Sequence, residues 1–340
     1  MVKAVRMADI AAKLGVSTVT VSKALAGKDG VSEPIREKIK VLADEMGYRY
    51  GASSKKNPKN TGNVGILIPS GYVGKTNSFY WDMYELVVKR LAYNGYFGIL
   101  EMVSHEDETQ VVEPRVLQDS KIDGLILIGQ VANSYLEMLR RAKVPTMYLD
   151  FYDAESGGSC IISDGFYGMY TVTNYIISMG HRDIRFVGSI HSTSSICDRY
   201  YGYRRAMMEH NLQVTEDMVI PDRGDDGTIS VQLPEKLPTA FVCNCDLVAG
   251  NVLNHLKEKG IRVPEDVSIA GFDDYLFPGL STIKFTTYAV DMDGMTRACV
   301  ERLLRKIQNP NYEPTLKIVS GRFIVRDSVR RIDPSLDIKL

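Results

Sequence analysis

From Val64 onward the chain repeats one pattern: a short, fully apolar run, an amphipathic stretch, and another apolar run. Val64-Gly65-Ile66-Leu67-Ile68 carries no polar side chain, as a strand buried on both faces requires. The stretch from Tyr80 to Asn94 has helical spacing, and Gly95 ends it. Further strands are expected near Gly98–Met102, Gly124–Ile128, Thr146–Asp150, Cys160–Ser163, Ile184–Gly188, Ala240–Cys243, Val267–Gly271 and Ile283–Phe285. Strands and helices in alternation predict parallel sheets covered on both sides. The segment is longer than one hydrophobic core comfortably serves, so two such sheets are expected.

Charge is distributed unevenly along the chain. Its net value is −1 over 340 residues, yet residues 1–60 hold twelve Lys/Arg against six Asp/Glu, leaving the remainder acidic. A basic leader on an acidic body suggests an anionic partner for the leader. A solvated basic face would give the same count.

Three short helices are written into that leader. Ile10, Ala11 and Leu14 share a face of Met7–Leu14, and Gly15 stops the helix. Ser17 caps a second helix, Thr18–Leu25, whose inward residues would be Val21, Ala24 and Leu25. Gly27 and Gly30 break it. Ser32 caps a third, with Pro34 in its first turn and Ile35, Ile39, Leu42 and Met46 on one face before Gly47. Helices joined in this way make a helix-turn-helix unit. A B-form major groove admits one α-helix, and base edges are read by exposed side chains near its N-terminus. Here those are Thr18, Val19 and Lys23. Lys23 suits guanine acceptors, while Val19 and the Thr18 methyl suit a thymine methyl. Ser17, Thr20 and Ser22 offer the short hydroxyls that reach phosphate oxygens. A generic three-helix bundle would show the same periodicity.

The run from Met7-Ala8-Asp9-Ile10 through Ser17-Thr18-Val19-Thr20-Val21-Ser22-Lys23 to Gly27, followed by Val31-Ser32-Glu33 and Gly47-Tyr48, resembles the headpiece of the lactose/galactose-repressor (LacI/GalR) family. That resemblance puts Thr18, Val19 and Lys23 at base-reading positions. It extends through Gly180-His181-Arg182-Asp183-Ile184, Arg199-Tyr200-Tyr201-Gly202-Tyr203, Pro238 to Asp246, Pro264 to Asp274 and Leu280 to Ile283, and so covers essentially the whole chain. The implied fold is a small all-α helix-turn-helix headpiece followed by an α/β core like that of periplasmic sugar-binding proteins. Two doubly wound parallel-sheet lobes, three crossovers and a ligand in the cleft are expected. The implied division is 1–49 for DNA binding, 50–62 for the linker and 63–340 for the core. One lobe would span about 63–161 and 291–318, the other about 162–290 and 319–333.

The linker departs from the family pattern. Family members usually carry Pro-Asn and then Ala-Arg-x-Leu here, a short hinge helix whose leucine wedges into the minor groove. Residues 51–63 are small, polar and basic, with no large apolar side chain between Tyr50 and Val64. Wedging opens a base step and bends DNA, and nothing here supplies the wedge. One phosphate-stabilised turn over Ala52–Lys56 and a flexible tether are both open readings.

In open α/β sheets, ligands collect at the carboxyl ends of the strands. Ser70 and Tyr72 lie just beyond the first strand, Phe79 and Tyr80 open the next helix, and Asp150 ends another strand. Phe79 or Tyr80 could stack on the apolar face of a sugar. Arg199, a bidentate donor, and Asp273, a charged acceptor, suit a hydroxyl-rich ligand, and the resemblance places both at effector-binding positions. An ion pair between Arg199 and Asp273 inside one lobe, and a core role for Phe79, are the alternatives. Before Asp246 the family commonly has Asn, whereas this chain has Cys245, a weak hydrogen-bond partner. Cys243-Asn244-Cys245 lacks the second ligand pair that zinc requires.

Other function classes find little support. Five scattered cysteines fit reduced thiols, and no apolar run approaches the roughly 18 residues that span a bilayer. The N-terminal residues do not resemble a secretory signal. His105, His181, His191, His210 and His255 show no H-E-x-x-H spacing, and neither a nucleophile elbow nor a phosphate-binding loop occurs. Asp273-Asp274 could serve acid–base chemistry, but reversible capture of a sugar needs fewer assumptions. No catalytic residue, metal or cofactor is therefore expected. The expected protein is a cytoplasmic, homodimeric transcriptional repressor that binds a near-palindromic double-stranded operator and answers to a small effector, a sugar. A sugar-binding protein of a transport system is the alternative from another class. No leucine heptad follows Arg331, so a tetramer made by that device is not expected.

Overall fold

A computed structural model describes residues 5–25, 30–46, 48, 61–73, 78–155, 157–224, 227–275 and 283–332. Helices α1 (Met7–Leu14), α2 (Thr18–Leu25) and α3 (Glu33–Glu45) form the N-terminal bundle. Gly15 caps α1 at φ +65°, a conformation in which a side chain is strained. Ser17 Oγ then accepts the Thr20 amide at 3.0 Å and starts α2. Ile10, Ala11, Val21, Ala24, Ile39 and Ala43 make the bundle core.

Ile35 does not face inward as its spacing suggested; it is 42% exposed. Arg36 occupies the inward position instead, donating to the carbonyls of Ala24 at 3.1 Å and Val31 at 3.3 Å. The last carbonyls of α2 have no partner within their own helix, so the first turn of α3 supplies donors there rather than apolar cover. Gly27, Gly47 and linker residues 49–60 lie outside the described residues.

The core begins with β1 (Asn63–Pro69), α4 (Phe79–Tyr93), β2 (Phe97–Val103), α5 (His105–Gln110), β3 (Gly124–Ile128), α6 (Asn133–Arg141), β4 (Thr146–Leu149) and β5 (Cys160–Ser163). It continues with α7 (Gly165–Ser178), β6 (Ile184–Val187), α8 (Ser194–Glu209), β7 (Val219–Ile220), β8 (Ala240–Cys243), α9 (Asp246–Glu258) and β9 (Ser268–Ala270). Last come β10 (Thr287–Ala289), α10 (Met292–Gln308), β11 (Lys317–Val319) and β12 (Arg322–Ile324). A six-stranded sheet has the order β11-β5-β4-β3-β1-β2 and a four-stranded sheet the order β7-β6-β8-β9. Every pairing within these two sheets is parallel. The chain passes between the sheets after β5, after β10 and after β11, and β10 and β12 pair antiparallel at the crossing.

Helices cover both faces of each sheet, which is why the strands are almost wholly apolar. In the first lobe α4 and α10 pack Met83, Val87, Leu91, Met295, Val300 and Leu303 on one face, and α6 packs Tyr135, Leu136 and Leu139 on the other. In the second lobe α7 and α8 cover one face and α9 the other. Gly202 lets α7 and α8 touch: a Cβ there would stand 2.2 Å from the Phe166 carbonyl oxygen.

Ile283–Phe285 is not a strand. Phe285 is buried in the second lobe's core, but the hydrogen-bonded segment is β10, slightly downstream, which pairs Thr287 with Ile324. Apolarity marks burial, whereas a ladder needs a partner strand, and that partner lies far along the chain.

Candidate nucleic-acid interface and interlobe cleft

On α2 the side chains of Thr18, Val19 and Lys23 are exposed, Val19 at 62%. Val21 and Ala24 on the opposite face are buried, so the helix presents its N-terminal half outward. Thr20 and Ser22 are half-buried. Ser17 Oγ and Thr20 Oγ1 lie 2.8 Å apart, so both hydroxyls already serve the cap. Arg36, 8% exposed, fixes the far end of α2 through the Lys23 and Ala24 carbonyls.

The second site lies between the lobes. Asp150 follows β4 at φ +71° and is 4% exposed. The Tyr80 hydroxyl donates to Asp150 Oδ2 at 2.9 Å, while Oδ1 has no hydrogen-bond partner among the described residues. Tyr72 stacks on Tyr80 with ring centroids 4.7 Å apart and donates to the Gln130 carbonyl at 3.1 Å. Phe79 meets Tyr80 edge-on at 5.4 Å, packs against the first lobe's core, and reaches Tyr275 of the second lobe at 5.9 Å. It therefore serves both the core and the cleft. Ser70 is exposed on a short 3₁₀ turn and makes no side-chain contact with this cluster among the described residues.

From the second lobe, Arg199 on α8 lies 4.2 Å over the Phe272 ring and donates through Nη1 to the Asn244 carbonyl at 3.0 Å. Its Nε is buried without a hydrogen-bond partner among the described residues. Asp273, at φ +93°, accepts the Tyr275 amide at 2.9 Å. Among the described residues no ion pair within 4.0 Å joins Arg199 to Asp273, so the two are not tied up in each other. Asn244 is itself held by buried Asp222, which accepts Asn244 Nδ2 at 2.9 Å and the Ser189 amide at 2.7 Å. Burial raises the Asp222 carboxyl, but Arg223, Asn244 and Ser189 outweigh it and hold the group below its ordinary value.

Burial pushes Asp150 upward against the pull of Arg199, and raises Asp273 to about 7. Asp246 is driven well above the carboxylate range by burial and by the charge of Asp273. Burial also lifts Cys245 to about 12 and keeps it a thiol. Three buried carboxyl groups, an aromatic cluster and the Arg199 guanidinium thus approach one another from the two lobes, with Arg223 beside Tyr72 and Cys245.

Several residues that join the lobes carry no sequence motif. Gln130 Oε1 accepts the Ser194 amide at 2.8 Å, the Tyr152 hydroxyl donates to Asp198 Oδ1 at 2.8 Å, and Tyr275 bonds Asp82. Each stands in a loop or at a helix end beside the cleft, and that position is the one signal a sequence offers for it.

Residues 6–50 match the profile described as bacterial regulatory proteins, lacI family, and residues 173–329 match the periplasmic binding protein-like domain. The chain thus carries a LacI-family helix-turn-helix region and a periplasmic-binding-protein-like domain. It is similar to the HTH-type transcriptional repressor PurR of Vibrio campbellii, 29% identical over 96% of this chain and 98% of the relative. The probable HTH-type transcriptional repressor ExuR of Bacillus subtilis is 28% identical over 96% and 99%. Among solved structures, the transcriptional regulator CelR–cellobiose complex superposes with a TM-score of 0.69 at 23% identity, over 95% of this chain and 99% of that one. The lac repressor dimer bound to operator gives 0.65 at 21%, over 96% and 100%. The chain is a DNA-binding transcriptional regulator with a ligand-binding core, not a transport protein. Among its described residues, no cluster of three His, Cys, Asp or Glu could hold a metal ion, and no helix is long and apolar enough to cross a membrane.

Proposed function

We propose that this regulator is a cytoplasmic, homodimeric repressor whose operator affinity is set by a neutral, hydroxyl-rich effector, a sugar, held between the lobes. One observation carries the effector class. Two buried polar atoms of opposite kind and from opposite lobes, the acceptor Asp150 Oδ1 and the donor Arg199 Nε, lack partners among the described residues beside the Tyr72–Tyr80–Phe79 wall. A hydroxyl both donates and accepts and so satisfies each, whereas an apolar molecule leaves both unpaired at about 1–3 kcal/mol apiece. An anionic ligand would bring its charge against Asp150 and Asp273, whose own ionisation burial already opposes. Structural neighbours bound to cellobiose and to ribose agree with this class.

In this reading Arg199, Asp150 and Asp273 bind the effector, Tyr72, Phe79 and Tyr80 stack on it, and Ser70 takes at most a rim position. Thr18, Val19 and Lys23 read base edges while Ser22, with Ser17 and Thr20, faces phosphates. The bundle before residue 50 reads DNA, residues 50–62 tether it, and the crossings that follow β5, β10 and β11 divide the lobes. The cleft needs no catalytic role for its carboxyls. Dimerisation is supported by β2, an edge strand exposing Phe97, Ile99 and Met102, which a symmetry-related copy would cover. Two bundles on one dimer call for a near-palindromic site.

The test is selection of duplexes from a random pool by the full-length protein at moderate ionic strength, followed by titration of neutral sugars into the selected complex. A palindromic consensus whose affinity shifts with one sugar is expected. No enrichment over random duplex would sink the reading.

A further inference from the structure

The DNA-binding bundle meets the core along α3 and α10. Lys40 Nζ lies 2.9 Å from Glu301 Oε2, and Glu37 Oε1 lies 3.4 Å from Arg297 Nη1. The charges continue on both sides: Lys40 with Glu37 at 3.9 Å, Arg297 with Asp293 at 3.1 Å, and Asp293 with Arg90 of α4. Positive and negative groups alternate along the whole ladder. Asp293, Arg297 and Glu301 recur every four residues and so line one face of α10, opposite Met295, Cys299 and Leu303, which are buried in the first lobe.

The contact is electrostatic in kind. The apolar cluster of the bundle and that of the first lobe share no residue. The side chains of Lys40, Arg297 and Arg90 are only 14%, 15% and 17% exposed. Exposed ion pairs contribute little, but a mostly desolvated cation that loses its partner is costly. The position of α10 also matters. It starts directly after β10, where the Asp273 amide donates to the Tyr288 carbonyl at 2.9 Å and the Val290 amide donates to the Asp273 carbonyl at 3.2 Å. The face of α2 bearing Thr18, Val19 and Lys23 takes no part and is exposed.

We propose that α10 is a docking surface for the chain's own DNA-binding bundle: the ladder Arg90–Asp293–Arg297–Glu37–Lys40–Glu301 clamps α3 to the core. The clamp links the bundle to the crossover strand at Asp273 by a route that bypasses residues 50–62. Its regulatory use rests on the effector-controlled reading above, but the docking does not.

A zero-length carbodiimide tests it on the full-length protein. The reagent joins Lys40 Nζ to the Glu301 carboxyl as an amide and carries off the water as a urea, so only groups in contact react. A mixture of isotopically light and heavy protein separates links within one chain from links between chains. A Lys40–Glu301 link within one chain is expected, falling about fivefold as salt rises from roughly 0.05 to 0.5 M and screening shortens. Arg297→Glu is expected to cut the yield by a similar factor, and adding Glu37→Arg to restore it. Arg297→Gln serves if the reversed variant misfolds. No link, a link only between light and heavy chains, indifference to Arg297 substitution, or no restoration in the swap each overturn the docking. Loss of sequence-specific DNA binding with the link intact would instead overturn the regulator reading.

Discussion

Arg36→Met is the substitution whose effect follows most directly from the geometry of the bundle. Arg36 donates to the Ala24 and Val31 carbonyls at 3.1 and 3.3 Å and more weakly to Lys23 at 3.4 Å. Methionine fills much of the volume but donates nothing, leaving the end of the base-reading helix with unsatisfied carbonyls. Hydrogen bonds from a charged donor contribute about 1.5–3 kcal/mol each, and a cation at a helix C-terminus adds about 0.3–1 kcal/mol. The Glu33 partner is 79% exposed and adds little. A net loss of about 3 kcal/mol is expected once the apolar gain of methionine is set against it. At roughly 0.05–0.15 kcal/mol per residue, a bundle of about 45 residues has only about 2–7 kcal/mol to lose. Calorimetry of the full chain would therefore show the bundle's transition shifted far down or lost while the core's stays in place. Operator affinity would fall with it. Arg36→Lys is expected in between, since an ammonium cannot reach all three carbonyls at once. A bundle transition within about 0.5 kcal/mol of the parent, or a lysine variant equal to it, would refute the reasoning.

Other outcomes follow from the two sites. Lys23→Ala is expected to cost about 1–3 kcal/mol on the selected operator and much less on random duplex; equal losses would make Lys23 a phosphate contact. Asp150→Asn keeps an acceptor for Tyr80 but removes the charge, so sugar titration of the operator complex should require about tenfold more effector with basal DNA binding unchanged. Burial lowers His181 to about 4, where it bonds Thr239 and the Arg330 carbonyl in neutral form. The unfolded chain takes up the proton first, near pH 6.5, so stability is lost as pH falls from about 6.5 toward 4, by about 2 kcal/mol at pH 5. Urea midpoints should show that slope, and His181→Gln should flatten it. Phe97→Glu should give a monomer by sedimentation; an intact dimer would move the interface away from β2.

The elements legible in the sequence are those whose signals are local. Thr18–Leu25, Gly124–Ile128, Cys160–Ser163 and Ala240–Cys243 appear with the bounds their caps and apolar runs imply. β11 and β12 are three residues each, with Lys317, Ile318 and Arg322 exposed, and exist through pairing with Ile161–Ser163 and Thr287–Ala289. No local pattern encodes such partners. Ile35 illustrates the converse: its spacing fits a buried stripe, but what lies opposite is a helix end that needs donors. In the cleft, Arg199 and Asp273 could be picked from their motifs. The Tyr152–Asp198 and Gln130–Ser194 contacts depend on how the two lobes approach each other, which no periodicity records.

Trp81, the single tryptophan of the chain, sits in the first turn of α4, donating its amide to Ser78 Oγ at 3.1 Å and lying 5.1 Å from the Tyr84 ring. Its neighbours Phe79, Tyr80 and Asp82 touch the opposite lobe or the carboxyl that faces it. The chain's single indole thus stands in a helical turn whose other side chains face the second lobe. Its emission is expected to change if an effector moves the lobes, and stopped-flow mixing would time that change against release from DNA.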